Sequence, residues 1–218
     1  TALSRKNFDL VITMPRLDDM DAFGLSRHIK EIYPNLPVFL LTQRTHPMLL
    51  EENKRAHRAL DKIFVWSGNT DLLLAMIKSV EDRMNIEYDT QRAKVRVLIM
   101  VEDSPIYYSS ILPLLYKEIV MQTQAVMEES LNDEHRILRM RARPKILLAE
   151  DYEEAQNLYD RFKPYLLAVL SDVRFPKGGD HNPQAGFDLL KMIKGELTDL
   201  PVLMFSSEET NRQKAEEI

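Results

Sequence analysis

Short apolar runs alternate along the chain with longer stretches of helical periodicity, and that alternation predicts parallel β-α units. Asp9-Leu10-Val11-Ile12-Thr13 ends at Met14-Pro15 and predicts a buried strand. Phe23, Leu25, Ile29 and Ile32 then recur at helical spacing before Pro34. Residues 37–42 predict a second strand, residues 47 to about 60 a helix, residues 62–66 a third strand, and residues 70 to about 85 another helix. Residues 86–94 are polar and aperiodic. The boundary is placed there, with residues 1–88 as one module, 89–94 as a linker and 95–218 as a second module.

The alternation restarts at Val95-Arg96-Val97-Leu98-Ile99-Met100-Val101, a strand ending in Glu102-Asp103. Ser104 suits a helix cap and Pro105 a first helical turn. The helix they open is unusually long, towards residue 140, or on the order of 50 Å if unbroken. Pro113 should kink it and Asn132-Asp133 should end its main segment. Ile111, Leu115, Ile119, Val126, Met127 and Leu131 read as its packing residues. Such a helix could also project and build a homodimer. Strands follow at 145–149, 166–171 (ending at Asp172) and 201–206, with helices at 152–163, 185–195 and from 209 onward. The loop Pro176-Lys177-Gly178-Gly179-Asp180 lacks the Gly-Lys-Ser/Thr ending of a phosphate loop.

The two halves parallel each other. A strand, a helix and Leu36-Pro37-Val38-Phe39-Leu40-Leu41-Thr42 correspond to a strand, a helix and Leu200-Pro201-Val202-Leu203-Met204-Phe205-Ser206. Superposed, Met14 falls opposite Asp172 and Thr42 opposite Ser206. The expected fold is therefore α/β, a parallel sheet with helices on both faces, in two tandem copies, both incomplete.

Composition narrows the function. With 34 acidic against 29 basic residues, the net charge of −5 gives no footprint for nucleic acid. Arg139, Arg141 and Arg143 read as a solvated or salt-bridged edge. Cysteine is absent, which excludes disulfides, thiolate metal sites and a cysteine nucleophile. The five histidines show no paired metal spacing and read as surface residues. No membrane span or signal segment is evident, so a cytoplasmic location is expected.

Ligands of open parallel sheets bind beyond the carboxyl ends of the strands. In the second module the polar residues there are Glu102, Asp103, Asp172 and Ser206. Singly, each has an ordinary reading: a solvated acidic turn, a turn cap, a helix cap. Together, three carboxylates in one crevice would repel one another, and a hard cation such as Mg²⁺ resolves that. A carboxylate in such a site can attack phosphorus and hold an aspartyl phosphate. Ser206 would then donate its hydroxyl to the transferred group.

These residues resemble the receiver domains of two-component response regulators. The resemblance rests on Val101-Glu102-Asp103 after the first strand, Ser171-Asp172-Val173-Arg174-Phe175-Pro176 after the third, and Phe205-Ser206-Ser207 after the fourth. It implies Asp172 as phosphoacceptor, with Mg²⁺ held by Glu102, Asp103, Asp172 and the backbone carbonyl of Arg174, and Ser206 as the switch hydroxyl. It further implies a histidine kinase or other phosphohistidine donor as partner. It implies as well a doubly wound parallel five-stranded sheet (the flavodoxin-like receiver fold), of which the first module lacks the opening two strands and the second the fifth, so the chain reads as a fragment. The family's lysine after the fifth strand of the second module is therefore left unassigned. The first module resembles the latter part of a receiver but is degenerate, with Met14, Thr42 and Trp66 at the corresponding positions. A thioether can neither accept phosphate nor bind Mg²⁺. The long helix, with residues 137–149 and 172–176, also resembles receiver-like regions preceding phosphoenolpyruvate synthase and pyruvate phosphate dikinase-type modules. Three readings stand: a phosphorelay receiver acting as phosphoacceptor rather than enzyme, a structural pair of pseudo-receivers, or the regulatory part of an attached phosphoenolpyruvate-utilising module.

Overall fold

A computed structural model describes residues 6–43, 59–128, 143–206, 208 and 210–216, and within them the chain alternates strand and helix. The predicted helix at 47–60 falls almost wholly outside the described residues, as do Arg139, Arg141 and the Asn132-Asp133 break. Two compact units emerge: Thr1–Val80 with Pro105–Pro113, and Glu81–Ser104 with Leu114–Ile218. Two helices, α2 (Asp71–Ala93) and α3 (Pro105–Glu128), contribute residues to both.

The first unit contains β1 (Val11–Thr13), α1 (Ala22–Ile32), β2 (Val38–Thr42) and β3 (Lys62–Val65). Its three strands are all parallel, in the order β1-β2-β3. Asp21 caps α1 by accepting from the Gly24 N–H at 2.6 Å. Phe23 and Ile29 on that helix pack with Val38, Leu40, Leu60 and Ile63. Hydroxyls of α3 serve the backbone of β3. Tyr108 donates to the Ile63 carbonyl at 2.5 Å, and Ser109 accepts from the Val65 N–H at 2.9 Å. Satisfying strand groups in this way keeps them from templating another chain.

The second unit contains β4 (Val97–Val101), β5 (Lys145–Ala149), α4 (Tyr152–Phe162), β6 (Leu166–Asp172), α5 (Ala185–Glu196), β9 (Val202–Phe205) and α6 (Thr210–Glu216). Between β6 and α5 lie two short strands, β7 (Phe175–Lys177) and β8 (Asp180–Asn182). The main sheet is parallel in the order β5-β4-β6-β9. All five residues of β4 are buried, as a central parallel strand covered on both faces requires. Val97, Ile99 and Val101 pack with Leu147, Tyr159, Phe162, Val169, Leu189 and Ile193. The order is compatible with a flavodoxin-like fold, with sheets of three and four strands rather than the five of the full pattern.

The units share a hydrogen-bonding scheme around the second strand of each β-α-β segment. Tyr33 N bonds Ile29 O, Leu36 N bonds Tyr33 O, and Val11 N bonds Pro37 O, at 2.7, 3.1 and 2.9 Å. In the second unit Leu197 N bonds Ile193 O, Leu200 N bonds Leu197 O, and Val169 N bonds Pro201 O, at 2.7, 3.1 and 3.0 Å.

Three elements differ from expectation. First, residues 86–93 are helical, the final turns of α2. The buried side of that segment is Ile86 and Thr90, in line with the buried Asp82 one turn earlier, so two of these three buried residues are polar and no apolar period shows. Secondly, Arg143 is salt-bridged, as one of the two readings had it, but in the interior and not at an edge: it is 6% exposed and paired with Asp82 at 2.5 Å. Asp82 also accepts from Ile146 N–H at 2.9 Å and Tyr116 OH at 3.1 Å, while Lys145 bridges to Asp89 at 2.8 Å. Thirdly, the Gly178-Gly179 loop closes an antiparallel hairpin of β7 and β8. Both glycines have positive φ, 67° and 90°, as a tight two-residue hairpin turn demands. Among the described residues, no helix is long and apolar enough to cross a membrane.

The Asp82 cluster yields a direct test. Asp82→Ala leaves Arg143 buried without its carboxylate, and should cost about 3–5 kcal/mol in urea unfolding. A loss under about 1 kcal/mol would show that the buried pair is dispensable.

Candidate metal and phosphoryl site

Strand register builds the site. In the β4–β6 ladder Val101 lies opposite Ser171, so the next residues of each strand, Glu102 and Asp172, leave the sheet side by side. Asp103 follows Glu102, and one carboxylate oxygen from each of the three lies within 4.8 Å of the others. Among the described residues this is the group of three or more ligating side chains close enough to share an ion. All the donors are oxygens, the set that suits a hard cation and not a soft one.

The carboxylates differ in surroundings. Glu102 is buried, with its Oε1 accepting the Ser104 N–H at 3.0 Å. Burial, assisted by the charges of Asp172 and Asp103 and opposed by that hydrogen bond, pushes its pKa up to about 7. Asp103 is half-buried, and burial pushes it upward as well, opposed by His181, whose Nε2 is 3.8 Å from Asp103 Oδ2. Asp172 Oδ2 accepts from the Arg174 N–H at 3.2 Å. The Ser171 hydroxyl donates to the Asp172 carbonyl at 2.7 Å. Gly186 lets α5 approach this point, since a Cβ there would lie 2.4 Å from the Asp172 carbonyl oxygen.

Ser206 follows β9, one residue past the Phe205 that lies opposite Asp172. Its Oγ accepts from the Glu208 N–H at 3.1 Å and from Asn211 Nδ2 at 2.8 Å. The hydroxyl is thus oriented by α6 and the turn before it. The Arg174 guanidinium pairs with Glu208, linking the segments after β6 and β9.

The hairpin is what the sequence reading missed. Phe175 is fully buried, and Lys177 bonds Asp188 at 2.5 Å while lying 4.3 Å over the Tyr152 ring. Glu153 accepts the Gly178 N–H at 2.9 Å. These tethers hold His181 beside Asp103. The signal available was the paired glycines between two short flanks.

In the first unit the strand ends that the sequence sets opposite Asp172 and Ser206 are chemically different. Met14 is 64% exposed, Thr42 is buried, and the Trp66 N–H donates to the Thr42 carbonyl at 2.7 Å. No protein-family model matches the sequence, and no curated protein matches it.

The raised carboxyls predict a pH dependence. Glu102 binds its proton more tightly folded than unfolded, so its contribution favours folding most below pH 4.5 and is lost as pH rises towards about 7. Without divalent ions, stability attributable to Glu102 should fall by on the order of 3 kcal/mol across that window. Glu102→Gln should flatten the profile in urea unfolding at stepped pH. An unchanged slope would contradict the assignment.

Proposed function

We propose that the chain is a phosphorelay receiver region, built from two tandem flavodoxin-like receiver modules of which the second takes a phosphoryl group on Asp172. The observation that carries this reading is the convergence of Glu102, Asp103 and Asp172 beyond the carboxyl ends of parallel strands. The hydroxyl of Ser206 at the end of the neighbouring strand supports it. The repeated hydrogen bonds at Ile29-Tyr33-Leu36 and Ile193-Leu197-Leu200 support the tandem arrangement.

In the reaction, a carboxylate oxygen of Asp172 attacks phosphorus of a phosphohistidine donor. The P–O bond forms as the P–N bond breaks, and the electron pair leaves with the donor imidazole, which takes up a proton. Glu102, Asp103, Asp172 and the carbonyl of Arg174 would hold Mg²⁺, which supplies neutralisation of the negative charge on the transferred oxygens. Ser206 offers its hydroxyl proton to a phosphoryl oxygen. Because its own position is set by Asn211 and Glu208, that bond would move the start of α6, and with it the contacts made with a partner. The first module, with Met14 in the acceptor position, serves as scaffold.

The test is incubation of the chain with Mg²⁺ and acetyl phosphate, followed by intact-mass analysis. The expected result is a gain of one phosphoryl group that is absent from Asp172→Asn and from reactions without Mg²⁺. Folded protein that gains nothing, or an Asp172→Asn variant that gains as much, would overturn the reading.

A further inference from the structure

Asn211, in the first turn of α6, is a buried amide only 7% exposed. Burying an amide costs free energy unless its polar atoms are bonded. Its Nδ2 donates to Ser206 Oγ at 2.8 Å, and its backbone N–H donates to the Glu208 carbonyl at 3.2 Å. The same Ser206 Oγ accepts from the Glu208 N–H at 3.1 Å. The turn that carries this N–H is tied to the segment after β6 by the pair between Glu208 and Arg174. A serine hydroxyl has two acceptor lone pairs and one proton to give. Both lone pairs of Ser206 are engaged, and its proton goes to no acceptor among the described residues. With Cβ and two donors filling three directions around the oxygen, the proton is confined to the fourth, away from both donors.

We infer that Asn211 is a positioning residue, which fixes Ser206 as a hydrogen-bond donor to the phosphoryl group on Asp172. The inference rests on the phosphorelay reading above and concerns what governs its hydroxyl. Without the amide, the hydroxyl is amphoteric: it can turn its proton towards α6 and present a lone pair instead. With the amide in place it has only its proton to offer, so only an acceptor suits it. An anionic phosphoryl oxygen is the acceptor that gains most, because a hydrogen bond to a charged oxygen is about twice as strong as one between neutral groups. Asn211 thus acts through Ser206 and touches neither the metal ligands nor the transferred group.

The experiment reverses the bond. Asn211→Asp keeps the shape of the side chain, but the ionised carboxylate can only accept. Ser206 must then spend its proton on that carboxylate. The reading is the initial rate of phosphoryl gain by the whole chain from acetyl phosphate and Mg²⁺, by intact mass, with urea unfolding as the check on folding. Ser206→Ala and Asn211→Asp should each slow the gain by roughly tenfold, the loss of one hydrogen bond to a charged group. Combined, they should be no slower than Ser206→Ala alone. Asn211→Leu removes the amide without offering an acceptor, and should slow the gain by roughly threefold, with no further effect beside Ser206→Ala. It decides the matter if Asn211→Asp does not fold. A wild-type rate in the Asn211 variants overturns the inference and leaves the phosphorelay reading standing. So does a further loss when either is added to Ser206→Ala, which marks an effect of charge or packing. Folded wild-type protein that gains nothing overturns the phosphorelay reading, and this inference with it.

Discussion

The site depends on the register between β4 and β6. Once Val101 and Ser171 are opposite, Glu102 and Asp172 must emerge together, and Asp103 comes with them. Their mutual repulsion and the burial of Glu102 work against the fold in the absence of a counter-charge. The protein offsets this with donors of its own: the N–H groups of Ser104 and Arg174, and the imidazole of His181. The apolar contacts of β4 with its neighbours hold the register against that repulsion. Such a centre suits a hard cation better than an empty crevice.

Much of this was legible in the sequence, for identifiable reasons. Strands such as Val97–Val101 and Leu166–Asp172 are continuous apolar runs that end in acids, so both the element and its functional terminus show. The three clustered carboxylates were legible because parallel strands place their ends at one edge. What did not show was whatever breaks the hydropathy rule. The second half of α2 buries Asp82, whose partners Arg143, Tyr116 and Ile146 lie far along the chain, and Thr90, whose hydroxyl donates to the Ile86 carbonyl one turn back, so no apolar period marks them. The β7–β8 hairpin has three-residue strands held by single contacts from Tyr152, Glu153 and Asp188, below the length at which alternation can be read. His181 is the surface residue that the sequence suggested, 61% exposed, but its approach to Asp103 exists only through that hairpin.

The two units carry similar local pairings beside different chemistry. Thr13 pairs with Leu40 as Ser171 pairs with Met204, and the hydroxyls of Thr13 and Ser171 each donate to the next carbonyl, at 3.3 and 2.7 Å. From Thr13 to Phe23 the first unit uses 10 residues, whereas from Ser171 to Phe187 the second uses 16. The six additional residues accompany the hairpin that carries His181 to the acidic site. The acidic strand end and the longer loop occur together in the second unit, while Met14 and the shorter loop occur together in the first.

The central claim is that the three carboxylates form one cation site. The most direct measurement is titration of the chain with Mn²⁺, followed by electron paramagnetic resonance of the free ion, with Mg²⁺ as competitor. The account predicts one Mn²⁺ per chain, displaced by Mg²⁺ and lost when Glu102→Gln and Asp172→Asn are combined. Folded wild-type protein that binds no ion, or a double variant that still binds one, would contradict it.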